Sequence, residues 1–325
     1  MKKKFLLPLI IIFAFLFFLG SLVWFTKASK PISNDKIEQR FVIERGSGAS
    51  LVGANLQKAK LIRNAIAFKL YVQLTGKSAK IQAGEYSIPR NLSLIQLTDL
   101  LLEGPSEVWV TIPEGIRREE VVLKMADGLG LTGSARDKFI IDFLARSQGL
   151  EGYLFPDTYL LPRDIAANAV VNLMKSTFDQ KINFKVDSQT LVLASILERE
   201  TLAGEERPIV AGILLKRLAA GWALQADATV QYAVSSAQCL VPTASCDWWP
   251  RPLTEDDLKI NSSYNTYKYP GLPPAPISNP GLATLQAVAS PTDSPYWYYL
   301  HDPKGEIHYA ATIEEHNANV AKYLR

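Results

Sequence analysis

The sequence of 325 residues predicts an α+β protein behind an N-terminal transmembrane helix, with a small α+β subdomain followed by a larger α+β domain. Three observations lead there. An uncharged apolar run extends from Phe5 to Phe25, long enough for one helix to cross a bilayer. Beyond it, strand-like and helix-like segments are intermixed without the regular alternation of a doubly wound sheet. With 48% hydrophobic and 21% charged residues, the chain has an ordinary globular composition and enough apolar material for one or two cores.

Residues 1–4 read as a cytoplasmic N-terminus, because Lys2, Lys3 and Lys4 in front of the apolar run favour export of the chain beyond Phe25. Lys27 and Lys30 on the far side weaken that bias. The run 5–25 exceeds the usual apolar region of a signal peptide and no clear small-x-small site comes after it, which favours a retained anchor. Residues 26–40, with Pro31, Ser33, Asn34 and Asp35, read as a juxtamembrane linker.

The small subdomain spans 41–106. Phe41–Glu44 is strand-like and ends at Gly46 and Gly48, and Ser50 is placed to cap a helix carrying Leu51, Val52, Ala54 and Leu56. A second helix covers Asn64 to Leu74 and stops at Gly76. Ala83–Ile88 is a short strand, and Ser93 caps a third helix that Gly104 closes. This order, with LQKAKLIRN and AGEYSI, resembles the LysM-like subdomain of a family of bacterial cell-wall enzymes; a small packing module without a ligand fits the same pattern.

The larger domain, 107–325, opens with strand-like Glu107–Ile112, the turn Pro113-Glu114-Gly115 and a helix from Arg118 to Leu129. The net charge of +3 comes from scattered Lys and Arg residues, so no basic stripe argues for nucleic acid. The glycines around Gly46 lack the rest of a phosphate-binding fingerprint. Cys239 and Cys246 could close a small disulfide loop in an exported domain; two cysteines without nearby histidine cannot complete a tetrahedral metal shell. His301, His308 and His316 follow no metal-ligand spacing and read as structural or surface groups. No metal and no cofactor are expected.

The chemistry centres on Leu191–Thr201, LVLASILERET, which is helical by composition. At 100° per residue, Leu193, Ile196, Leu197 and Glu200 fall on one stripe, while Glu198 lies toward a polar arc with Ser195, Arg199 and Thr201 and reads as the more solvated carboxylate. A carboxyl at the end of an apolar stripe loses solvation in its charged form, so its pKa rises and it can serve as a general acid, as glycosidic bond cleavage requires. An ordinary helix-end glutamate reaching to water would show the same spacing. A second helix runs from about Arg207 to Ala220 with Glu205 and Glu206 at its start. After it, Gln225, Asp227, Thr229 and Tyr232 crowd hydrogen-bonding side chains into eight residues, as a sugar site needs. Tyr264 to Ile277, containing Asn265, is a proline-stiffened segment that could wall a cleft.

Together, EGYLFPDTY (151–159), ASILERET (194–201), LQADATVQY (224–232), YNTY (264–267) and GLPPAPI (271–277) resemble the endolytic murein transglycosylase family, formerly described as aminodeoxychorismate lyase-like. The likeness runs from the N-terminal anchor to EEHN, ending at Asn317. It implies that Glu200, second glutamate of the Glu-x-Glu-Thr motif, is the catalytic acid/base. Glu200 would protonate the oxygen leaving N-acetylmuramic acid, then take the proton of that sugar's own C6 hydroxyl as a 1,6-anhydro ring closes. A tethered acceptor gains effective molarity over diffusing water. Gln225, Asp227, Thr229, Tyr232, Tyr264 and Asn265 would orient the sugars.

Ala226, Ala228 and Ala275 depart from the residues usual in that family, which touches fine substrate contacts more than the reaction. Gln238–Pro252 reads as a variable insertion. The implied partners are peptidoglycan glycan strands, the cytoplasmic membrane and peptidoglycan synthases, with the catalytic domain outside a single-pass anchor and strand elongation ended by cleavage. Two other readings stay open: a hydrolytic muramidase using Asp227 or Asp157 as second carboxylate, and a non-catalytic peptidoglycan-binding scaffold. A Ser-His-Asp hydrolase is disfavoured, since no Gly-x-Ser-x-Gly occurs.

Overall fold

The computed structural model describes residues 6–44, 46–202, 204–239, 241–243 and 245–324, with side chains left aside at 6–12 and 14. The chain divides into two compact units, Met1–Trp109 with Leu160–Arg163, and Val110–Tyr159 with Asp164–Arg325.

In the first unit the chain forms α1 (Leu6–Ala28), β1 (Glu38–Ile43), α2 (Ala49–Lys58), α3 (Ala65–Leu74), β2 (Gly84–Pro89), α4 (Leu94–Glu103) and the start of β3 (Glu107–Thr111). β1 and β2 pair antiparallel from Glu38↔Pro89 to Ile43↔Gly84. Their inward residues Phe41, Ile43, Tyr86 and Ile88 meet Leu56, Phe68 and Leu97 in one buried core. Local chemistry sets the helix starts. Asn64 accepts from the Ala67 N–H, and Ser93 and Gln96 form a reciprocal capping box at α4. Ser50, expected as a cap, lies inside α2, which begins behind Gly48 without a side-chain cap.

Two expectations for the N-terminal part change. Among the described residues no helix is long and apolar enough to cross a membrane. The structure therefore does not support the span expected at 5–25, although the chain is helical over Leu6–Ala28. Residues 1–4, expected to be cytoplasmic, lie outside the described residues. The segment 26–40 is not a free linker: Ala28 is buried, the Ser29 carbonyl accepts from the Leu94 N–H, and the Arg63 guanidinium donates to the carbonyls of Lys30 and Pro31. Its polar side chains gave no sign that its backbone carbonyls were occupied.

The second unit holds the rest of β3, then α5 (Arg118–Gly128), α6 (Gly133–Arg146), the start of β4 (Thr158–Pro162), α7 (Ala167–Lys181), α8 (Ser188–Glu200), α9 (Arg207–Ala219), α10 (Asp227–Gln238), α11 (Leu282–Ala289), β5 (Tyr298–His301), β6 (Ile307–Ala310) and α12 (Ile313–Tyr323). Strands β1 to β4 lie in sequence order in one sheet, and β5 pairs antiparallel with β6. The class is α+β.

Helix α8 organises this unit. Every residue from Leu191 to Glu198 is buried, packed by α9, α10 and α11. From Leu191 to Glu198 the helix is thus covered on all sides, and the polar arc that would have left Glu198 solvated does not exist. Ser195 tolerates this burial because its hydroxyl donates to the Val192 carbonyl and accepts from the Ile277 N–H. The proline-stiffened segment is thereby stitched along α8, with Ser278 donating to the Ser195 carbonyl.

Candidate functional site

Glu200 is the last residue of α8, and Thr201 ends the helix by donating both N–H and hydroxyl to the Leu197 carbonyl. The Glu200 Oε2 accepts a 2.9 Å hydrogen bond from the Tyr299 hydroxyl on β5. Burial is the main influence on this carboxyl and raises its pKa, and the nearby Asp227 carboxylate pushes the same way. Tyr299, the Ala228 backbone N–H and His301 pull it down, and the balance stays above the ordinary glutamate value. A negative charge at a helix C-terminus is also unfavourable. The charged form of the Glu200 carboxyl is therefore disfavoured, the direction expected from its place on the sequence stripe.

Asp227 is the first residue of α10 and is exposed; its Oδ1 accepts from the Tyr267 hydroxyl at 2.6 Å. Burial, the bond to Asp227 and the Glu200 charge all raise the Tyr267 phenol pKa. Gln225 is exposed and holds φ of 52°, in the left-handed region that residues with a Cβ seldom occupy, with its N–H on the Thr266 carbonyl. The adjoining Leu224 carbonyl accepts from Arg217, whose Nε also donates to the Trp297 carbonyl ahead of β5. One arginine thus ties the approach to α10 to the strand bearing Tyr299.

The other expected sugar contacts lie elsewhere. Thr229 is fully buried, donates to the Ala226 carbonyl and meets the Thr266 hydroxyl at 2.9 Å. Asn265 is also fully buried: its amide donates to the carbonyls of Leu258 and Ile260 and its Oδ1 accepts from the Tyr267 N–H. Both residues shape the loop under Asp227 and Tyr267 and present no polar atom to solvent. Tyr232 and Tyr264 pack together at 4.7 Å between ring centres, with the Arg117 guanidinium 4.1 Å over Tyr232. Sequence reasoning did not place Tyr267, Tyr299 or Arg217 at the site, and it read His301 as a structural or surface group. Tyr267 stands in the YNTY motif, whereas nothing in the sequence connects Tyr299 with a glutamate 99 positions earlier.

Glu198 corrects the sequence reading. Its side chain is 4% exposed, its Oε1 lies 3.1 Å from the Arg207 guanidinium, and its Oε2 accepts from the Gly281 N–H at 2.8 Å. Burial and Glu198 together raise the pKa of Glu114, which also lies near Arg207. A Cβ at Gly281 would meet the Glu114 carboxylate, the end of a half-exposed side chain that can turn aside.

Cys239 and Cys246 are bonded to each other, with Cα atoms 5.9 Å apart. The segment beyond this disulfide is not loose. Trp249 donates to Glu120 and lies under the Arg199 guanidinium, and Trp248 lies near Arg117. Asp302, Glu306 and His308 bring possible ligand atoms within 4.8 Å of one another, but the Asp302 carboxylate already caps the β5–β6 turn through the N–H groups of Lys304 and Glu306. A cavity of about 680 Å³ opens at the other end of α8, lined by Ser188, Val192, Leu218 and the prolines 273 and 274. It lies about 18 Å along the helix from Glu200. The stiff segment therefore walls that cavity.

The YceG-like family matches residues 41–322 of the chain. The endolytic murein transglycosylase of Bacillus subtilis is 27% identical, over 94% of this chain and 90% of its own length. An endolytic murein transglycosylase of Streptococcus pneumoniae is 25% identical over 87% of this chain; the chain spans 58% of that relative's length. A crystal structure of a yceG-like protein from Listeria monocytogenes superposes with a TM-score of 0.58 at 27% identity, covering 87% of this chain and 99% of that one.

Proposed function

Because the chain belongs to the YceG-like family, we propose that it is an endolytic lytic transglycosylase that cuts peptidoglycan glycan strands between N-acetylmuramic acid and N-acetylglucosamine, with Glu200 as acid and base. The observation that carries this reading is the Glu200 carboxyl: raised in pKa by burial, held by Tyr299 and accompanied by an exposed Asp227. One carboxyl that first donates and then accepts a proton suits a reaction whose acceptor is the sugar's own C6 hydroxyl. Gln225 and Asp227 are the expected contacts still facing solvent at this site, and they would orient the sugar ring. Thr229 and Asn265 would act one layer below, and Tyr232 and Tyr264 further along the strand.

In this reading residues 41–106 act as a LysM-like wall-binding module and 107–325 as the catalytic domain. The apolar run behind Lys2–Lys4 supports attachment to the cytoplasmic membrane with the bulk of the chain outside, near the synthases whose strands it would terminate. Protease added to spheroplasts should then digest the chain while a cytoplasmic marker survives. Survival of both would refute the topology.

The deciding experiment is mass spectrometry of the fragments released from purified glycan strands by the full chain. The expected products carry 1,6-anhydro ends and include internal cuts. Reducing ends would favour hydrolysis with Asp227 as second carboxylate, and binding without fragments would favour a scaffold.

A further inference from the structure

We propose that Tyr299 is the positioning residue of Glu200: its hydroxyl donates to Oε2, fixes that oxygen as an acceptor and leaves Oε1 to carry the proton to and from the sugar. The inference rests on the reading of Glu200 as acid/base. A carboxyl at the end of a helix can turn about its last bond and present either oxygen. Here one oxygen is held from outside the helix. Tyr299 itself is fixed on β5 by its pairing with Tyr309, its ring packs on the second unit's core, and Arg217 holds the Trp297 carbonyl two residues before it. A phenylalanine would fill the same space, so the hydroxyl is the informative part of this side chain.

The proton balance closes on Glu200 alone. As the bond from C1 of the muramic acid to the leaving oxygen breaks, the Oε1 proton passes to that oxygen. As the C6 oxygen bonds to C1, its proton passes to Oε1. Tyr299 keeps its own proton throughout, and no water or other reactant is consumed.

The groups that face the Glu200 carboxyl are Tyr299 and His301 from β5, Asp227 and the Ala228 N–H from α10, and Tyr267 from the loop after α10; Arg199 is its neighbour on α8. Of these, Tyr299, the Ala228 N–H and His301 stabilise the ionised form, and Tyr299 does so most. Removing its hydroxyl therefore raises the Glu200 pKa, and the alkaline limb of turnover, where the acid loses its proton, moves to higher pH.

The test compares the full chain with Tyr299→Phe in two readouts. One is turnover of purified glycan strands against pH. The other is the infrared carbonyl band of Glu200, assigned by subtracting the spectrum of Glu200→Gln. Turnover should fall roughly ten- to a hundredfold with KM little changed. The alkaline limb and the infrared titration should both move up by about one pH unit. Because the ring could matter for folding, 3-fluorotyrosine at position 299 supplies a stronger donor in the same shape, and it should move both readouts to lower pH. A fall in turnover with neither readout moving means that Tyr299 is only structural and overturns the inference, while an inactive Glu200→Gln leaves the acid/base reading standing. If Glu200→Gln turns over normally, that reading fails and the inference with it, whatever the infrared band does.

Discussion

Glu198 and Glu200 share α8 and differ in what their carboxyl groups meet. Glu198 is engaged by Arg207 and the Gly281 N–H, so its charge is compensated inside the protein. Glu200 has only a neutral phenol as its side-chain hydrogen-bond donor, while burial and the nearby Asp227 carboxylate oppose its charge. The two amide variants should separate accordingly. Glu200→Gln should cost about 10²–10⁴-fold in turnover with little change in melting temperature. Glu198→Gln should leave Arg207 with only the more distant Glu114 as counter-charge and destabilise the fold by about 1–3 kcal/mol. Melting curves and turnover on the same preparations check both, and equal mild losses would remove Glu200 as the acid. Glu151 makes a pH-dependent prediction. It accepts from Arg118 and Asn279, and burial, then the Glu119 charge, push its pKa up to about 8. The folded state thus holds a proton that the unfolded chain releases near 4.5. That contribution to stability is complete below the unfolded value and is lost as pH rises toward 8. The melting temperature of the parent should fall across this window, and Glu151→Gln should flatten the slope.

At the scale of elements, α9 offers a clean test of packing. A Cβ on Gly212 would meet the Thr292 carbonyl oxygen, and the Thr292 N–H donates to the Pro208 carbonyl at 2.9 Å, so that loop lies against the helix and has little room to retreat. Gly212→Ala should therefore destabilise by about 1–3 kcal/mol, although alanine is the better helix former. Elements written in local chemistry were legible beforehand. Ser93 with Gln96 three residues on marks the start of α4, Asn64 the start of α3, and the apolar density of LVLASIL the helix α8. Glu200 was legible through its place on the Leu193, Ile196 and Leu197 stripe. The burial of Glu198 was not, because helical periodicity assumes one wet face and α8 has none. Thr229 and Asn265 drew attention as polar side chains in a polar run, yet backbone carbonyls consume their hydrogen bonds. Residue type does not reveal such pairings. α10 also went unread, since its polar residues drew attention as a sugar site and not as a helix, and Tyr299 reaches Glu200 only through tertiary packing.

Across the described residues, two clusters of buried hydrophobics lie under β1 and β2 and around α8, further buried hydrophobics line β3, β4 and α5 to α7, and the family match takes in nearly all of them. Four of the six tryptophans, Trp222, Trp248, Trp249 and Trp297, belong to the second unit and two, Trp24 and Trp109, to the first, so melting followed by tryptophan fluorescence reports more on the unit that carries Glu200. The loss from Glu198→Gln or Gly212→Ala should be read there first. The enclosure of α8 from Leu191 to Glu198 has a consequence in time as well as in space. A backbone amide exchanges its hydrogen with solvent only when its surroundings open, and an element covered on every side by other helices has no local route to open. The amides of α8 should therefore be among the last in the unit to exchange, on the timescale of global unfolding. The candidate acid would then sit at the end of the slowest-opening part of its unit, with the exposed Gln225 and Asp227 beside it.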